Sequence, residues 1–167
     1  MSQPERSDQA GAAGRNAGPW TILFVDDDAD FLAAQEAYFG GRGHKVHTVD
    51  SSSEALDLLE TLTPDIIFLD LMMEHIDSGF RLSYQIGKDE RLRGVPLVML
   101  SGVAAEMGRR FDGEADGLRA WSGLDQFIDK PVTGRQLLKV LEERAGAGRA
   151  QTAGAGRAQT AGAPGRA

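Results

Sequence analysis

Pro64-Asp65-Ile66-Ile67-Phe68-Leu69-Asp70 is the stretch of sequence that decides the fold. Four consecutive apolar residues follow a proline-led turn and lead directly into an acid. A short apolar run of this kind predicts a strand that is buried on both faces, as in a parallel sheet covered by helices. Because open α/β sheets bind ligands at the carboxyl ends of their strands, Asp70 is expected to lie in a functional site.

Three other predicted strands also end in polar residues. They are Thr21–Val25 followed by Asp26, Asp27 and Asp28, then Val95–Leu100 followed by Ser101, and Gln126–Asp129 followed by Lys130. In a parallel sheet the carboxyl ends of the strands lie along one edge. That edge would then carry acids, a hydroxyl group and an ammonium group, a combination that indicates a metal and phosphate site.

Helical patterns separate the strands. They are a helix over Ala29–Phe39, one opened by the capping box of Ser51 and Glu54, one over Gly79–Asp89, and one opened by Thr133 and Gln136 that ends at Arg144. An alternating segment, His44–Val49, predicts an edge strand, and the glycine-rich segment 103–124 predicts a broken helix and loop. The fivefold alternation of strand and helix predicts an α/β fold with three layers. It is a doubly wound, five-stranded parallel sheet with helices on both faces.

Length and composition bound the kind of protein. The chain has 167 residues, a formal charge of −7 and no cysteine. We expect one domain over residues 20–145, between a disordered leader at 1–19 and a disordered repeat tail of Gly, Ala and Arg at 146–167. The acidic balance predicts no nucleic-acid partner, and the lack of a long apolar run predicts no membrane partner. The expected localisation is cytoplasmic.

Three carboxylates at one site repel one another, so they need a counter-charge. A magnesium ion held by Asp26, Asp27 and Asp70 would supply one, and the ammonium group of Lys130 would supply another. An ionised aspartate can attack a phosphoryl group to form an acyl phosphate. We therefore expect Asp70 to be the nucleophile, with the Ser101 hydroxyl donating to a phosphoryl oxygen.

Four strings place the chain in a known family by resemblance. They are ILFVDDD at 22–28, PDIIFLDLMM at 64–73, PLVMLSG at 96–102 and FIDKPV at 127–132. In this order, each at a strand end, they resemble the receiver domain of two-component response regulators over about residues 20–145. The resemblance implies the flavodoxin-like receiver fold and a stand-alone, chemotaxis-type receiver. Such a protein is no classical enzyme and catalyses only its own phosphorylation and dephosphorylation.

The resemblance also implies a role for each site residue. Asp70 matches the phosphoacceptor, and Asp26 and Asp27 match the acidic pair that binds Mg²⁺. The remaining matches are Met72 for the backbone carbonyl that binds the metal, Ser101 for the switch hydroxyl, Gly102 beside it for space at the phosphoryl group, Lys130 for the phosphate-contacting lysine and Phe127 for the switch aromatic. The implied partners are a sensor histidine kinase or phosphotransfer protein and an unknown downstream protein bound in response to phosphorylation.

The chain departs from the family pattern in two places. The loop after Asp70 has Glu74 where the family usually has proline, and it carries one extra residue before Gly79. The segment between Ser101 and Lys130 is longer than usual. Two other functions are alternatives: a pseudo-receiver that binds proteins without phosphoryl chemistry, and a phosphatase or phosphotransferase that acts on small molecules. The second would need a general acid two residues after the nucleophile, where Met72 stands.

Overall fold

The computed structural model describes residues 19–73, 78–102 and 125–155, with side chains up to Ala145. It contains a parallel sheet of five strands in the order β2-β1-β3-β4-β5. The strands are β1 (Thr21–Val25), β2 (Lys45–Val49), β3 (Ile66–Asp70), β4 (Leu97–Ser101) and β5 (Gln126–Asp129). The deciding stretch forms the central strand, and the expected edge strand lies at one edge of the sheet.

Four described helices cover the sheet. They are α1 (Ala29–Gly40), α2 (Ser52–Leu59), α3 (Ser78–Lys88) and α4 (Gly134–Ala155). The two predicted caps are present, because Ser51 Oγ accepts a hydrogen bond from the Glu54 amide and Thr133 Oγ1 accepts one from the Gln136 amide. The Gln136 side chain also accepts a hydrogen bond from the Thr133 amide, which completes a reciprocal capping box.

The alternation of side chains along the strands divides the core into two clusters. Ile22, Phe24 and Phe68 point to the face that α1 and α4 cover, where Phe39 and Leu137 meet them. The intervening side chains point to the opposite face, where the apolar residues of α2 and α3 pack; this second cluster contains Leu23, Val25, Ile67, Leu69, Ala55, Leu59, Leu82 and Ile86. The predicted three-layer α/β architecture is confirmed, since both faces of the sheet are covered.

Two aspartates fix the register of the strands at their amino ends. Thr21 and Asp65 are joined twice: the Thr21 amide donates to Asp65 Oδ2 at 2.7 Å, and the Asp65 amide donates to the Thr21 carbonyl at 2.7 Å. Leu97 and Asp125 repeat this arrangement, at 2.8 Å and 2.9 Å. These paired bonds align β1 with β3 and β4 with β5, so they determine which residues emerge together at the carboxyl edge.

The last helix is longer than the sequence predicted. It continues to Ala155, whereas we expected it to end at Arg144 and a disordered tail to begin at residue 146. Alanine, arginine and glutamine in the repeat have high helix propensity, which accounts for the extension although each glycine costs about 1 kcal/mol. Ala145 is buried in the core cluster under α1 and α4, so the domain uses residues beyond the expected helix end.

Several expectations concern residues outside the described ranges. These are the leader at 1–18, the loop residues 74–77, the broken helix and loop at 103–124, and the final residues 156–167. Among the described helices, none combines the length and the apolar character that a bilayer crossing requires.

Candidate functional site

Three carboxylates meet at the carboxyl edge of the sheet, as predicted. Asp26, Asp27 and Asp70 each offer one oxygen, and these oxygens all lie within 4.8 Å of one another. The sheet register explains the meeting, because Val25 of β1 is paired with Leu69 of β3 and the next residue on each strand is an aspartate. The predicted acidic cluster therefore exists.

The three consecutive aspartates after β1 occupy different environments. Asp26 is 1% exposed and accepts a hydrogen bond from the Asp28 amide at 2.9 Å through Oδ1. Asp27 is exposed at the mouth of the site. Asp28 caps α1, since its Oδ1 accepts hydrogen bonds from the amides of Asp30 and Phe31. Only the first two acids are thus available to a ligand at the site.

Lys130 brings a positive charge to the cluster from the end of β5. Its Nζ lies 2.5 Å from Asp26 Oδ2 and 3.7 Å from Asp70 Oδ1. The Lys130 amide also donates to the Ser101 carbonyl at 2.9 Å, which ties the start of the following loop to β4. The predicted ammonium group is therefore at the acids, and it is closer to the buried Asp26 than to Asp70.

The pKa of Asp70 is raised to about 6. Burial of the carboxyl group is the main cause, followed by the negative charge of Asp26. The charge of Lys130 and a hydrogen bond from the Met72 amide oppose the rise, while Asp27 adds to it. The fold thus disfavours the ionised form of Asp70, and a cation placed beside it would favour that form.

The other predicted site residues surround this cluster. Ser101 is fully buried at the end of β4, and Gly102 is exposed next to it. A Cβ atom built at Gly102 would meet no atom within 4 Å, so the described residues leave space there for a side chain. Met72 is 42% exposed beside Asp70. Phe127 is half-buried on β5.

The Phe127 ring lies against α3. Its centroid is 6.4 Å from that of Phe80, with the planes tilted by 54°. Phe127 therefore packs in the cluster that α2 and α3 form with the sheet. Phe127 is thus an aromatic contact between β5 and α3.

Gly79 closes the loop that follows Asp70. A Cβ atom at this position would lie 2.5 Å from the Asp70 carbonyl oxygen and 2.7 Å from Leu71 Cα. The Gly79 amide also donates to the Leu71 carbonyl at 3.2 Å. The close approach of the two backbones, and not a special φ angle, is what requires glycine here, and it returns the chain to the site despite the extra loop residue.

The sequence pattern predicts Phe31 only as an apolar residue of the helix over Ala29–Phe39, and it does not indicate a place in the site. Its ring lies beside Lys130, with Nζ 4.7 Å from the ring centroid. The signal for it was available: Phe31 is in the first turn of the helix that Asp28 caps, and that turn begins at the edge where the acids lie. An aromatic residue there is within reach of the predicted ammonium group.

Taken together, the doubly wound sheet and the cluster of acids and ammonium at its carboxyl edge define an α/β domain of the receiver type. The family model described as response regulator receiver domain matches residues 22–142, and the chain belongs to this family. Its members are signalling domains of two-component systems and not classical enzymes.

Curated relatives support the same assignment. The chain is 32% identical over 117 residues to the transcriptional regulatory protein AfsQ1 of Streptomyces coelicolor, an alignment that covers 70% of this chain and 47% of that protein. It is 29% identical over 134 residues to the phosphate regulon transcriptional regulatory protein PhoB of Pseudomonas aeruginosa, covering 78% of this chain and 55% of that protein. The chain thus spans about half the length of these relatives.

Solved structures share the fold. A CheY-like receiver domain protein from Methanospirillum hungatei has a TM-score of 0.68 at 23% identity, covering 80% of this chain and 99% of that chain. The receiver domain of the sensor histidine kinase PA1611 from Pseudomonas aeruginosa has a TM-score of 0.64 at 23% identity, covering 77% and 99%. That second structure contains a magnesium ion coordinated in its active-site cleft.

The relatives bear on one expectation from composition. Several of them are named transcriptional regulators, so the prediction of no nucleic-acid partner is not supported. Net charge does not decide this point, because the chain spans about half of those relatives and the charge of one domain does not limit what another part of a protein binds.

Proposed function

We propose that this receiver accepts a phosphoryl group on Asp70 from a histidine kinase or a phosphotransfer protein, and that it does so with Mg²⁺. The observation that carries the proposal is the position of Asp70. Its carboxylate lies at the end of the central strand, beside two further acids and 3.7 Å from the Lys130 ammonium group. The nucleophile, the acids that would hold a cation and the positive group that would contact phosphoryl oxygens are therefore adjacent in the structure.

The donor set fits magnesium. Asp26, Asp27 and Asp70 offer only oxygen atoms, which are the ligands that Mg²⁺ prefers, and the expected fourth protein ligand is the Met72 carbonyl. Asp27 is exposed, so water can complete the coordination. When bound, Mg²⁺ would neutralise negative charge on the acids and on the transferring phosphoryl group.

The chain's own residues would carry the transfer. An Asp70 carboxylate oxygen forms a bond to phosphorus while the bond from phosphorus to the donor histidine nitrogen breaks, and that nitrogen keeps the electron pair. Lys130 is close enough to move from Asp26 toward a phosphoryl oxygen. Ser101, on the neighbouring strand, would donate its hydroxyl hydrogen to another phosphoryl oxygen.

The phosphorylation signal would reach partner proteins through β4 and β5. Ser101 ends β4 and Phe127 lies on β5, which pair directly in the sheet. A shift of the Ser101 hydroxyl toward the phosphoryl group would change the space beside β5, and the Phe127 ring would then alter its packing against α3. We propose that partner proteins read this change by binding the phosphorylated domain with a different affinity.

The test is phosphorylation of the purified protein with acetyl phosphate and Mg²⁺, followed by intact-protein mass spectrometry. Wild type should gain one phosphoryl group, and Asp70→Asn should gain none. Asp57→Asn, an exposed aspartate on α2, is the matched control and should label like wild type. Equal labelling of Asp70→Asn would overturn the assignment, and a wild type that never labels would favour an interaction module without phosphoryl chemistry.

A further inference from the structure

The Lys130 ammonium group has an aromatic wall on one side. Phe31 supplies this wall, with its ring centroid 4.7 Å from Nζ, while Asp26 and Asp70 lie at 2.5 Å and 3.7 Å. Only about a quarter of the Lys130 side chain is exposed. A ring face attracts a cation but offers it no hydrogen-bond acceptor, so the hydrogen bonds of the ammonium group are directed toward the acids and the remaining solvent.

The ring is held in place by the core. Phe31 meets Phe24 edge to face, with centroids 6.4 Å apart and planes at 78°. Phe24 is fully buried and stacks on Phe68 of the central strand at 5.0 Å. At the backbone, Asp28 accepts a hydrogen bond from the Phe31 amide at 3.1 Å. Phe31 is therefore held at its ring by Phe24 and at its backbone by Asp28, and the ring is a fixed surface for a flexible lysine.

We propose that Phe31 is a positioning residue for phosphoryl transfer: its ring is the surface against which Lys130 exchanges Asp26 for the phosphoryl oxygen on Asp70. This inference rests on the function proposed above. Both acids lie within 3.7 Å of Nζ, so the exchange needs only a short movement that keeps the contact with the ring. Without the ring the four-carbon stem has more rotamers available, and fewer of them place the charge at the phosphoryl group.

The kinetic test uses three variants. Phe31→Leu keeps an apolar side chain but removes the ring, and Phe31→Tyr restores a ring of the same shape. Tyr38→Leu removes a second cation–ring pair, in which Arg42 Cζ lies 3.6 Å from the centroid of Tyr38, seven residues after Phe31 in α1. The measured quantities are the maximal rate of Asp70 phosphorylation and the concentration of acetyl phosphate that gives half of it.

Phe31→Leu should lower the maximal rate by about fivefold and leave the half-saturating concentration nearly unchanged, because Lys130 acts on charge that develops during transfer. Phe31→Tyr should recover most of the rate, and Tyr38→Leu should match wild type. A wild-type rate in Phe31→Leu would overturn the proposal. So would an equally slow Phe31→Tyr, because that result would mean that the ring face is not what Lys130 needs.

A second measurement stands apart from phosphorylation. In the NMR spectrum of the unphosphorylated protein, the ring of Phe31 should displace the Cε proton resonances of Lys130, and Phe31→Leu should return them to ordinary lysine values while Tyr38→Leu leaves them displaced. Ordinary values in wild type would overturn the contact itself. If wild type showed the displacement but did not accept a phosphoryl group, the contact would stand, and both the proposed function and the role of Phe31 in transfer would fall.

Discussion

Lys130 forms its shortest ion pair with Asp26 and not with Asp70, at 2.5 Å against 3.7 Å. Asp26 is the most deeply buried acid of the site, so it has the greatest need of a counter-charge when its solvation is lost. The lysine thus stabilises the domain before any phosphoryl group arrives. The same charge is available to Asp70 once Asp26 has another cation beside it.

Removing this lysine should destabilise the metal-free protein. Lys130→Met leaves the buried carboxylate of Asp26 without a partner, and we expect the free energy of unfolding in EDTA to fall by about 3 kcal/mol. Mg²⁺ should recover part of the loss, since it supplies positive charge to the same acids. Urea denaturation measures both effects, with the exposed Lys139→Met as control. Equal stability of the two variants in EDTA would contradict the argument.

Removing the exposed acid should have the opposite effect on the metal-free protein. Asp27→Ala takes one charge out of a cluster of three, so the thermal midpoint in EDTA should rise slightly. The variant should also bind Mg²⁺ more weakly, because one oxygen ligand is lost. Thermal denaturation with and without Mg²⁺ checks both. If Mg²⁺ raised the midpoint of Asp27→Ala as much as that of wild type, Asp27 would not be a ligand.

The raised pKa of Asp70 predicts how stability depends on pH. Its pKa rises from 3.8 to about 6 on folding, so the folded state holds the proton more tightly than the unfolded state. The resulting stability is fully present below pH 3.8 and is lost as pH rises through about 6. In EDTA, the free energy of unfolding of Asp70→Asn should therefore increase relative to that of wild type as pH rises from 4 to 7.

The size of that gain has an upper limit. One pKa unit corresponds to about 1.4 kcal/mol, so the difference should reach at most about 3 kcal/mol, and contact with solvent reduces it further. Denaturant unfolding at pH 4, 5, 6 and 7 measures the difference, with Asp57→Asn as the control that should show no such trend. A constant difference between Asp70→Asn and wild type across this range would contradict the shift.

Met72 should slow the loss of the phosphoryl group. It is 42% exposed beside Asp70, and its apolar side chain can shield the acyl phosphate without orienting a water molecule. Val103 is two residues after Ser101, as Met72 is two residues after Asp70, and we expect it to be the second apolar residue next to the phosphoryl group. Met72→Asn combined with Val103→Glu should shorten the lifetime by roughly tenfold, or about 1.4 kcal/mol in barrier, without preventing phosphorylation. Val103 lies outside the described residues, so Met72→Asn alone and the apolar control Met72→Leu are measured too. Phosphate release from purified phosphoprotein gives the hydrolysis rates. Unchanged rates would mean that these side chains do not determine how water reaches the acyl phosphate.

The length of α4 sets where the chain can be shortened. Truncation after Arg144 removes Ala145, which is 2% exposed in the core, and it should lower the thermal midpoint. Truncation after Ala155 keeps the whole described helix and should leave both the midpoint and Asp70 phosphorylation unchanged. Differential scanning calorimetry compares the two. An unaltered midpoint in the shorter protein would show that Ala145 contributes little.

Much of the fold was predictable from local sequence patterns. The strand Thr21–Val25 has the predicted bounds, and Ser51 and Thr133 both cap their helices, because each pattern uses neighbours in sequence. The acids at the edge could be placed together as well, since parallel strands bring their carboxyl ends to one side. The end of α4 was not predictable, because the repeat mixes strong helix formers with glycines, which have opposite helix propensities.

Contacts between distant side chains lay beyond such patterns. Nothing near Lys130 in sequence indicates that it pairs more closely with Asp26 than with Asp70, because this choice depends on the depth of each acid in the folded sheet. The Phe31 ring beside Lys130 is a similar case. Packing against the core already explains why Phe31 is apolar. Only the position of the start of α1 relative to β5 makes this residue part of the site.

The bond between Lys130 and Asp26 joins residues that are 104 positions apart, which has a consequence for synthesis on the ribosome. At about 5–20 residues per second, Asp26 emerges roughly 5–20 s before its lysine. Throughout that interval the growing chain holds carboxylates whose mutual repulsion opposes their gathering at one edge. Lys130, which follows β5, supplies the counter-charge, so a chain that stops before this residue lacks the group that pairs with the buried Asp26.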